Sequence, residues 1–284
     1  MKLTLDIGQR TDVGRRREHN EDSLGVYRPD REVELERRGL LLLVADGMGG
    51  YAAGEVASHV AIETVSAEYY GDPAGSIEEA LGRALQLAND AVRDEATRNA
   101  ERAGMGTTIA AAVICSGELA AANVGDSRVY LCRAGLLHQV THDHSWVAEL
   151  MAAGKLTPEE AKRHPMRNVV TRSLGGRADV DVETYPRSAL EAGDVVVVCS
   201  DGLWGMIPGD QIQEIVVPLS AQAAADALVA AANEAGGHDN ISAIVCRVLG
   251  EDYDEGELTE LIETISFEEN VDTTTPQPIP PPLL

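Results

Sequence analysis

The sequence is poor in aromatic residues and cysteines, and it has no long apolar run. Only 4% of its 284 residues are aromatic, with a single phenylalanine, so the core must be built from alanine, valine, leucine and isoleucine. No apolar stretch approaches the ~18 residues of a membrane span, and no signal peptide is recognisable, so no membrane span and a cytoplasmic location are expected. The four cysteines form no closely spaced pairs, which favours buried, reduced thiols over a disulfide framework or a cysteine metal site.

Basic residues are also scarce. The chain has 23 lysines and arginines against 47 aspartates and glutamates, which gives a formal net charge of -24. Because non-specific nucleic-acid binding needs a basic surface, this composition argues against nucleic acid as a partner. An acidic surface of this kind is compatible with the binding of cations.

The chain is predicted to form one compact domain over residues 1–249, followed by an acidic, proline-rich tail over 250–284. The tail contains ten acidic residues and no basic residue. Its composition is typical of a solvated, disordered extension. The alternatives are a docking peptide, built on an amphipathic stretch at 258–265, and a switch phosphorylated at 273–275.

Apolar runs predict strands, and amphipathic segments with start signals predict helices between them. The strands are expected at 3–7, 40–45, 109–114, 119–124, 129–133, 195–200 and 242–248. The helices are expected over 54–70, 76–99 and 220–234, with two more that begin at 157–160 and 210–213. Strands occur in clusters rather than in strict alternation with helices, so an α+β layered sandwich is favoured over a doubly wound parallel sheet.

Several apolar runs end on, or begin after, an aspartate. Asp46 follows "LLLVA" and Asp201 follows "VVVVCS", each with glycine next, while Asp126 ends another run and Asp239 precedes the last. An isolated Asp-Gly pair is first of all a turn signal. Converging carboxylates, however, repel one another and lose hydration unless a cation lies between them, and oxygen ligands suit Mg²⁺ or Mn²⁺. The repetition therefore predicts a divalent metal site at one edge of the sheet.

An arginine cluster precedes two acids in "TDVGRRREHNEDS", residues 11–23. A guanidinium can hold a phosphate dianion through two hydrogen bonds, and neighbouring acids can orient waters around a metal. Taken alone, the stretch is equally an ordinary charged loop.

The motifs together resemble the metal-dependent protein phosphatases of type 2C, in their bacterial branch. The resemblance covers about residues 5–248 and rests on an ordered set: "DVGRRREHNED", "LLLVADGMGG", "GMGTTIAAAVI", "ANVGDSRVYL", "THDHSWVAELMAAGKLT", "NVVTRSLGG", "VVVVCSDGLW" and "GGHDNISAIV". It implies a four-layer α-β-β-α sandwich with a central antiparallel β-sandwich. It also implies hydrolysis of phosphoserine and phosphothreonine in proteins, opposition to a bacterial Ser/Thr kinase, and a monomer.

The resemblance further implies which residues bind metal. Asp46 would bridge two Mn²⁺ or Mg²⁺ ions, and the Gly47 carbonyl would bind one of them. Asp201 and Asp239 would complete the other, and Asp126 would share a third, weaker ion with Asp201. The metals would activate a water that attacks phosphorus directly, without a phospho-enzyme.

Other residues of the motifs are implied to assist. Arg17 aligns with the phosphate-binding arginine of the family, and Glu21 and Asp22 match positions that surround the metal ligands. Arg15 and Arg16 are interpreted as surface charges.

Two places leave part of the assignment open. Eukaryotic members carry a histidine two residues after the metal-binding aspartate, proposed to protonate the leaving group, but this chain has Met48, which cannot donate a proton. His142 and His144 are candidates for that role, although a structural role is the simpler interpretation, so the general acid stays unassigned. Residues 145–180 match a variable flap that either recognises substrate or only packs, and Trp146 within it is interpreted as a core anchor.

Two alternatives to a general protein phosphatase remain. One is a phosphatase dedicated to a single regulatory phosphoprotein. The other is an inactive module that binds phosphopeptides, against which the complete set of aspartates and Arg17 speaks.

Overall fold

The computed structural model describes residues 4–49, 53–71 and 75–250, which all fall within one compact unit. The predictions for the acidic tail lie outside these residues, apart from Gly250, and the domain boundary after residue 249 stays a prediction. Among the described residues, no helix is both long enough and apolar enough to cross a membrane.

The described strands form two antiparallel sheets. One sheet has the order β1-β11-β10-β7-β8, and the other has the order β2-β3-β5-β6-β9, with β4 beside β3. The strands are β1 Thr4–Asp12, β2 Asp22–Tyr27, β3 Leu40–Met48, β4 Gly106–Thr107, β5 Ile109–Cys115, β6 Glu118–Val124, β7 Arg128–Arg133, β8 Leu136–Gln139, β9 Glu183–Ala189, β10 Val195–Cys199 and β11 Ile241–Leu249.

Helices α2 and α3 cover the outer face of one sheet, and α7 and α8 cover that of the other. The helices are α1 Glu32–Arg38, α2 Ala53–Gly71, α3 Ile77–Arg98, α4 Trp146–Ala152, α5 Pro158–Lys162, α6 Asp201–Trp204, α7 Gly209–Val216 and α8 Ala221–Glu234. Three start signals read from the sequence are confirmed, because Ser76 and Thr157 form capping boxes and Ser220 accepts a hydrogen bond from Ala223 N.

The layer order follows from the alternation of side chains along each strand. On β3, Leu41 and Leu43 pack with α2 and α3, whereas Leu42 and Val44 point into the space between the sheets. The same alternation holds on β10, whose outer face packs with α7 and α8. Because both faces of these strands are buried, they read as continuous apolar runs. The predicted four-layer α-β-β-α sandwich is confirmed.

The differences from the predicted elements lie at sheet edges and on the surface. Strands β2 and β9, each at an edge of its sheet, were not predicted, because glycine interrupts the first and Pro186 the second. The interpretation of Trp146 as a core anchor is wrong. Trp146 is 43% exposed, because the short helix α4 turns Val147 rather than Trp146 toward the interior. All four cysteines are buried and free, as predicted.

Candidate active site

The predicted site residues meet at one end of the sandwich, although they come from six separate segments. Antiparallel pairing places the end of β1 beside the start of β11, and Asp22 directly opposite Asp46. Arg17 lies in the β1–β2 loop, Asp22 at the start of β2 and Asp46 near the end of β3. Asp126 lies in the β6–β7 turn, Asp201 at the start of α6 and Asp239 just before β11.

The carboxylates are close enough at this end to influence one another electrostatically. In addition to burial, the charges of Asp22, Asp201, Asp126 and Asp239 all raise the pKa of Asp46. The Ser200 hydroxyl donates a hydrogen bond to Asp22 Oδ2 at 2.7 Å. Asp22 Oδ1 and Asp201 Oδ1 are buried and have no hydrogen-bond partner, so each offers a bare oxygen to a ligand.

Burial is the largest cause that raises the pKa of Asp22, Asp46, Asp126 and Asp201, and the charges of neighbouring carboxylates raise it further. For Asp22, hydrogen bonds from neighbouring serines offset part of the rise. The pKa of Asp46 lies well above its usual value, that of Asp22 rises to about 7, that of Asp126 to about 8 and that of Asp201 to about 6. A cation between the carboxylates would remove both penalties.

The donor set fits a hard divalent cation. It consists of carboxylate oxygens, of which Asp201 Oδ1 is bare and buried, and oxygen is the donor that Mg²⁺ and Mn²⁺ prefer. In the described ranges no three His, Cys, Asp or Glu side chains close into a ready-made metal cluster.

The glycine after each central aspartate is required by close backbone packing. A Cβ on Gly47 would lie 2.1 Å from Gly54 O, and a Cβ on Gly202 would lie 1.9 Å from Asn240 O. Both contacts are with backbone, which cannot move aside. The Asp-Gly pairs therefore let two further segments approach the acids, a reason that the turn signal alone does not indicate.

Arg17 lies at the rim of the site and is paired with a predicted metal ligand. Its Nη2 donates to Asp239 Oδ2 at 2.7 Å, and this hydrogen bond is the main cause that raises the Arg17 pKa. The Arg17 side chain is 48% exposed, so part of its guanidinium fork faces solvent.

Asn240 is a site residue that the sequence analysis did not single out. Its Nδ2 donates to Val13 O at 3.0 Å and to His19 O at 2.9 Å, and its Oδ1 accepts from Glu21 N at 2.8 Å. The Glu21 carbonyl in turn accepts from Gly47 N at 3.1 Å. Asn240 thereby fixes the arginine loop beside Asp46, and its only signal in the sequence is its place after the aspartate in "GGHDN".

Asp126 lies at the side of the cluster, farther from Arg17. It is 2% exposed, and its carbonyl accepts a hydrogen bond from Trp204 Nε1 at 3.0 Å. The Arg128 guanidinium stacks on the Trp204 ring at 3.5 Å and is itself paired with Asp143 at 2.6 Å. This stack supports the turn that carries Asp126.

The two histidines near Asp126 have structural contacts. His144 is buried, its Nδ1 accepts from Gly125 N at 3.1 Å, and its Nε2 lies 2.9 Å from Glu183 Oε2. Burial is the main cause that lowers the His144 pKa, which favours the neutral ring. Because Nδ1 accepts a hydrogen bond from Gly125 N, the proton of the neutral ring lies on Nε2, toward Glu183. Because both ring nitrogens are engaged, His144 is unsuited to protonate a leaving group. The exposed His142 contacts the same glutamate at 2.9 Å.

The segment predicted as a flap, 145–180, adjoins the site through β4. Leu174 pairs with Thr107, and Thr107 pairs with Gly47. The exposed Trp146 belongs to this segment.

Comparison with known proteins identifies the family. Residues 14–237 match the family model for protein phosphatase 2C. The serine/threonine phosphatase stp of Listeria monocytogenes is 37% identical over 241 residues, which cover 83% of this chain and 93% of that protein. The crystal structure of the Mycobacterium tuberculosis serine/threonine phosphatase PstP/Ppp matches with a TM-score of 0.77 and 35% identity, over 88% of this chain and 100% of that one.

A further solved structure carries metal. The catalytic domain of the serine/threonine protein phosphatase PstP, in complex with 2 manganese ions, matches with a TM-score of 0.75 and 34% identity, over 88% of this chain and 100% of that one. These findings confirm the resemblance read from the motifs. The chain belongs to the protein phosphatase 2C family.

Proposed function

We propose that this chain is a Mn²⁺- or Mg²⁺-dependent phosphatase that removes phosphate from phosphoserine and phosphothreonine in proteins. The observation that carries the proposal is the cluster of mutually repelling aspartates, two of which have bare buried oxygens, next to a half-exposed arginine. Relatives named serine/threonine phosphatases, and the two manganese ions of PstP, support it. We also propose that the protein is a cytoplasmic monomer and that it reverses phosphorylation by a Ser/Thr kinase.

The proposed metal ligands follow the placement of the acids. Asp46 would hold both ions, the Gly47 carbonyl would complete one, and Asp201 with Asp239 the other. Asp126 and Asp201, whose charges repel each other, would share a third ion. Two divalent cations held close together would lower the pKa of the water they coordinate, which would supply a nucleophile near neutral pH.

The residues of the chain bind and orient the phosphate. Arg17 presents donors that match two phosphate oxygens, and Asp239 fixes its guanidinium from behind through the 2.7 Å hydrogen bond. Asp22, held by Ser200, adds negative charge behind Asp46 and strengthens the attraction for cations. Glu21 acts through its backbone, which ties Gly47 to the arginine loop. The proton donor to the leaving group is left unassigned.

Arg17→Ala is expected to raise KM for p-nitrophenyl phosphate by about 10- to 100-fold, because a hydrogen bond to a charged partner contributes about 1.5–3 kcal/mol. Steady-state kinetics in saturating Mn²⁺ measures the change. Arg28→Ala is the matched control, since Arg28 is an exposed arginine directly after the far end of β2. An unchanged KM in Arg17→Ala would place the phosphate-binding group elsewhere.

Phosphate release from a phosphothreonine peptide, with Mn²⁺ and with excess EDTA, tests the proposed function itself. We expect release with Mn²⁺, loss of release in EDTA, and recovery when Mn²⁺ is added back. An inactive phosphopeptide-binding module would bind the peptide without releasing phosphate under any of these conditions.

A further inference from the structure

The loop that carries Arg17 also presents two other arginines to solvent. Arg15 and Arg16 are both exposed, and within the described part of the chain neither guanidinium has an ion pair. Arg17, in contrast, is paired with Asp239. Two adjacent cations without a carboxylate partner are notable in a chain with a formal net charge of -24.

The backbone of this loop is held in place rather than free. Arg15 N donates to Gly237 O at 2.7 Å, and a Cβ on Gly237 would lie 2.9 Å from Arg15 Cγ, so the Arg15 stem lies against that glycine. Gly14 has φ +81°, and a Cβ there would lie 2.1 Å from Asp239 O. Because the backbone of the loop is already held, little backbone entropy is lost when a ligand binds to its arginines.

The spacing of the chain brings these arginines within reach of a substrate bound at Arg17. Successive Cα atoms are ~3.8 Å apart, in the loop and in a peptide alike. If Arg17 binds the phosphate, as the proposed function requires, the exposed side chains of Arg15 and Arg16 are within reach of residues that flank the phosphorylated one. A guanidinium there pairs best with a carboxylate.

We propose that Arg15 and Arg16 make the enzyme prefer substrates with acidic side chains next to the phosphorylated residue. The inference rests on the proposed function and names a substrate class for it. The local charge favours acidic over basic flanking residues in the substrate. Within residues 13–20 the exposed Glu18 is the one acid, and Arg15 and Arg16 outweigh its charge. Without them, the acidic chain would repel an acidic peptide.

The test compares kcat/KM for a phosphothreonine peptide with alanine flanks and for peptides with glutamate placed in turn at each flanking position. We expect the wild-type protein to prefer glutamate at one or more positions, by about two- to fivefold for each arginine engaged, which is the range of a solvent-exposed ion pair. The ratio of the two kcat/KM values should fall toward one in Arg15→Ala, Arg16→Ala and the double variant. High salt should also reduce it, because it screens exposed charges.

Arg28→Ala is the control here as well, because it removes an exposed arginine far from the site. Equal kcat/KM for all peptides in the wild type would overturn the inference, as would a preference that persists in the double variant or that Arg28→Ala removes to the same extent. Each of these outcomes leaves the proposed function intact. If no peptide releases phosphate with Mn²⁺, it is the proposed function that fails.

Discussion

Asp46→Asn is expected to reduce Mn²⁺-dependent hydrolysis of p-nitrophenyl phosphate by about a thousandfold or more. Asp46 faces Asp22 across the strand pair, and the charges of four neighbouring aspartates act on it, so it is the carboxylate best placed to contact two cations. Loss of a metal-binding charge removes several kcal/mol of transition-state stabilisation, and each ~1.4 kcal/mol is a factor of ten in rate. Asp239→Asn is expected to have a similar effect.

Asp90→Asn serves as the matched control, because Asp90 is an exposed acid on α3. Circular dichroism should show native secondary structure in all three variants. Full activity of Asp46→Asn at low Mn²⁺ concentration would contradict the two-metal assignment, whereas an unfolded variant would move the test to Asp239→Asn.

Asp126→Asn is expected to stabilise the metal-free protein, and more so as the pH rises. Burial, with the charge of Asp201 second, raises the Asp126 pKa from 3.8 to about 8, so folding favours its protonated form. An acid with a raised pKa destabilises the folded state progressively as the pH rises from the unfolded value to the folded one. Asparagine does not ionise and avoids this loss.

Urea denaturation of the EDTA-treated proteins at a series of pH values measures the effect. The free energy of unfolding of the variant minus that of the wild type should be smallest near pH 4 and should grow up to about pH 8. In Mn²⁺ the difference should shrink or reverse, because the cation stabilises the ionised carboxylate. If the difference in unfolding free energy did not depend on pH, folding would not raise the Asp126 pKa, which would contradict this prediction.

The sequence predicted the inner strands because they are buried on both faces. Val195–Cys199 and residues 40–45 of β3 are continuous apolar runs whose alternate side chains fill different layers, so no choice of face had to be made. The edge strands β2 and β9 escaped prediction because each is only partly buried and because glycine interrupts the first and Pro186 the second. Trp146 was misassigned because hydrophobicity alone does not tell which side of a short surface helix a residue occupies.

The clustering of the acids was predictable from the sequence, and their supports were not. Aspartates at strand ends predicted that carboxylates would meet at one edge, and the family resemblance drew attention to Arg17. Asn240 and Ser200 carry no pattern of their own, since their roles arise only from tertiary hydrogen bonds to the arginine loop and to Asp22. The requirement for Gly202 likewise appears only when the approach of the Asn240 backbone is seen.

The most direct measurement is anomalous scattering at the manganese edge from crystals of the protein soaked in Mn²⁺. The account predicts two strong peaks among the oxygens of Asp46, Asp201 and Asp239, and none there in Asp46→Asn crystals soaked in the same way. Soaked wild-type crystals that show no peak between these carboxylates, in a protein that still hydrolyses phosphoesters, would contradict it.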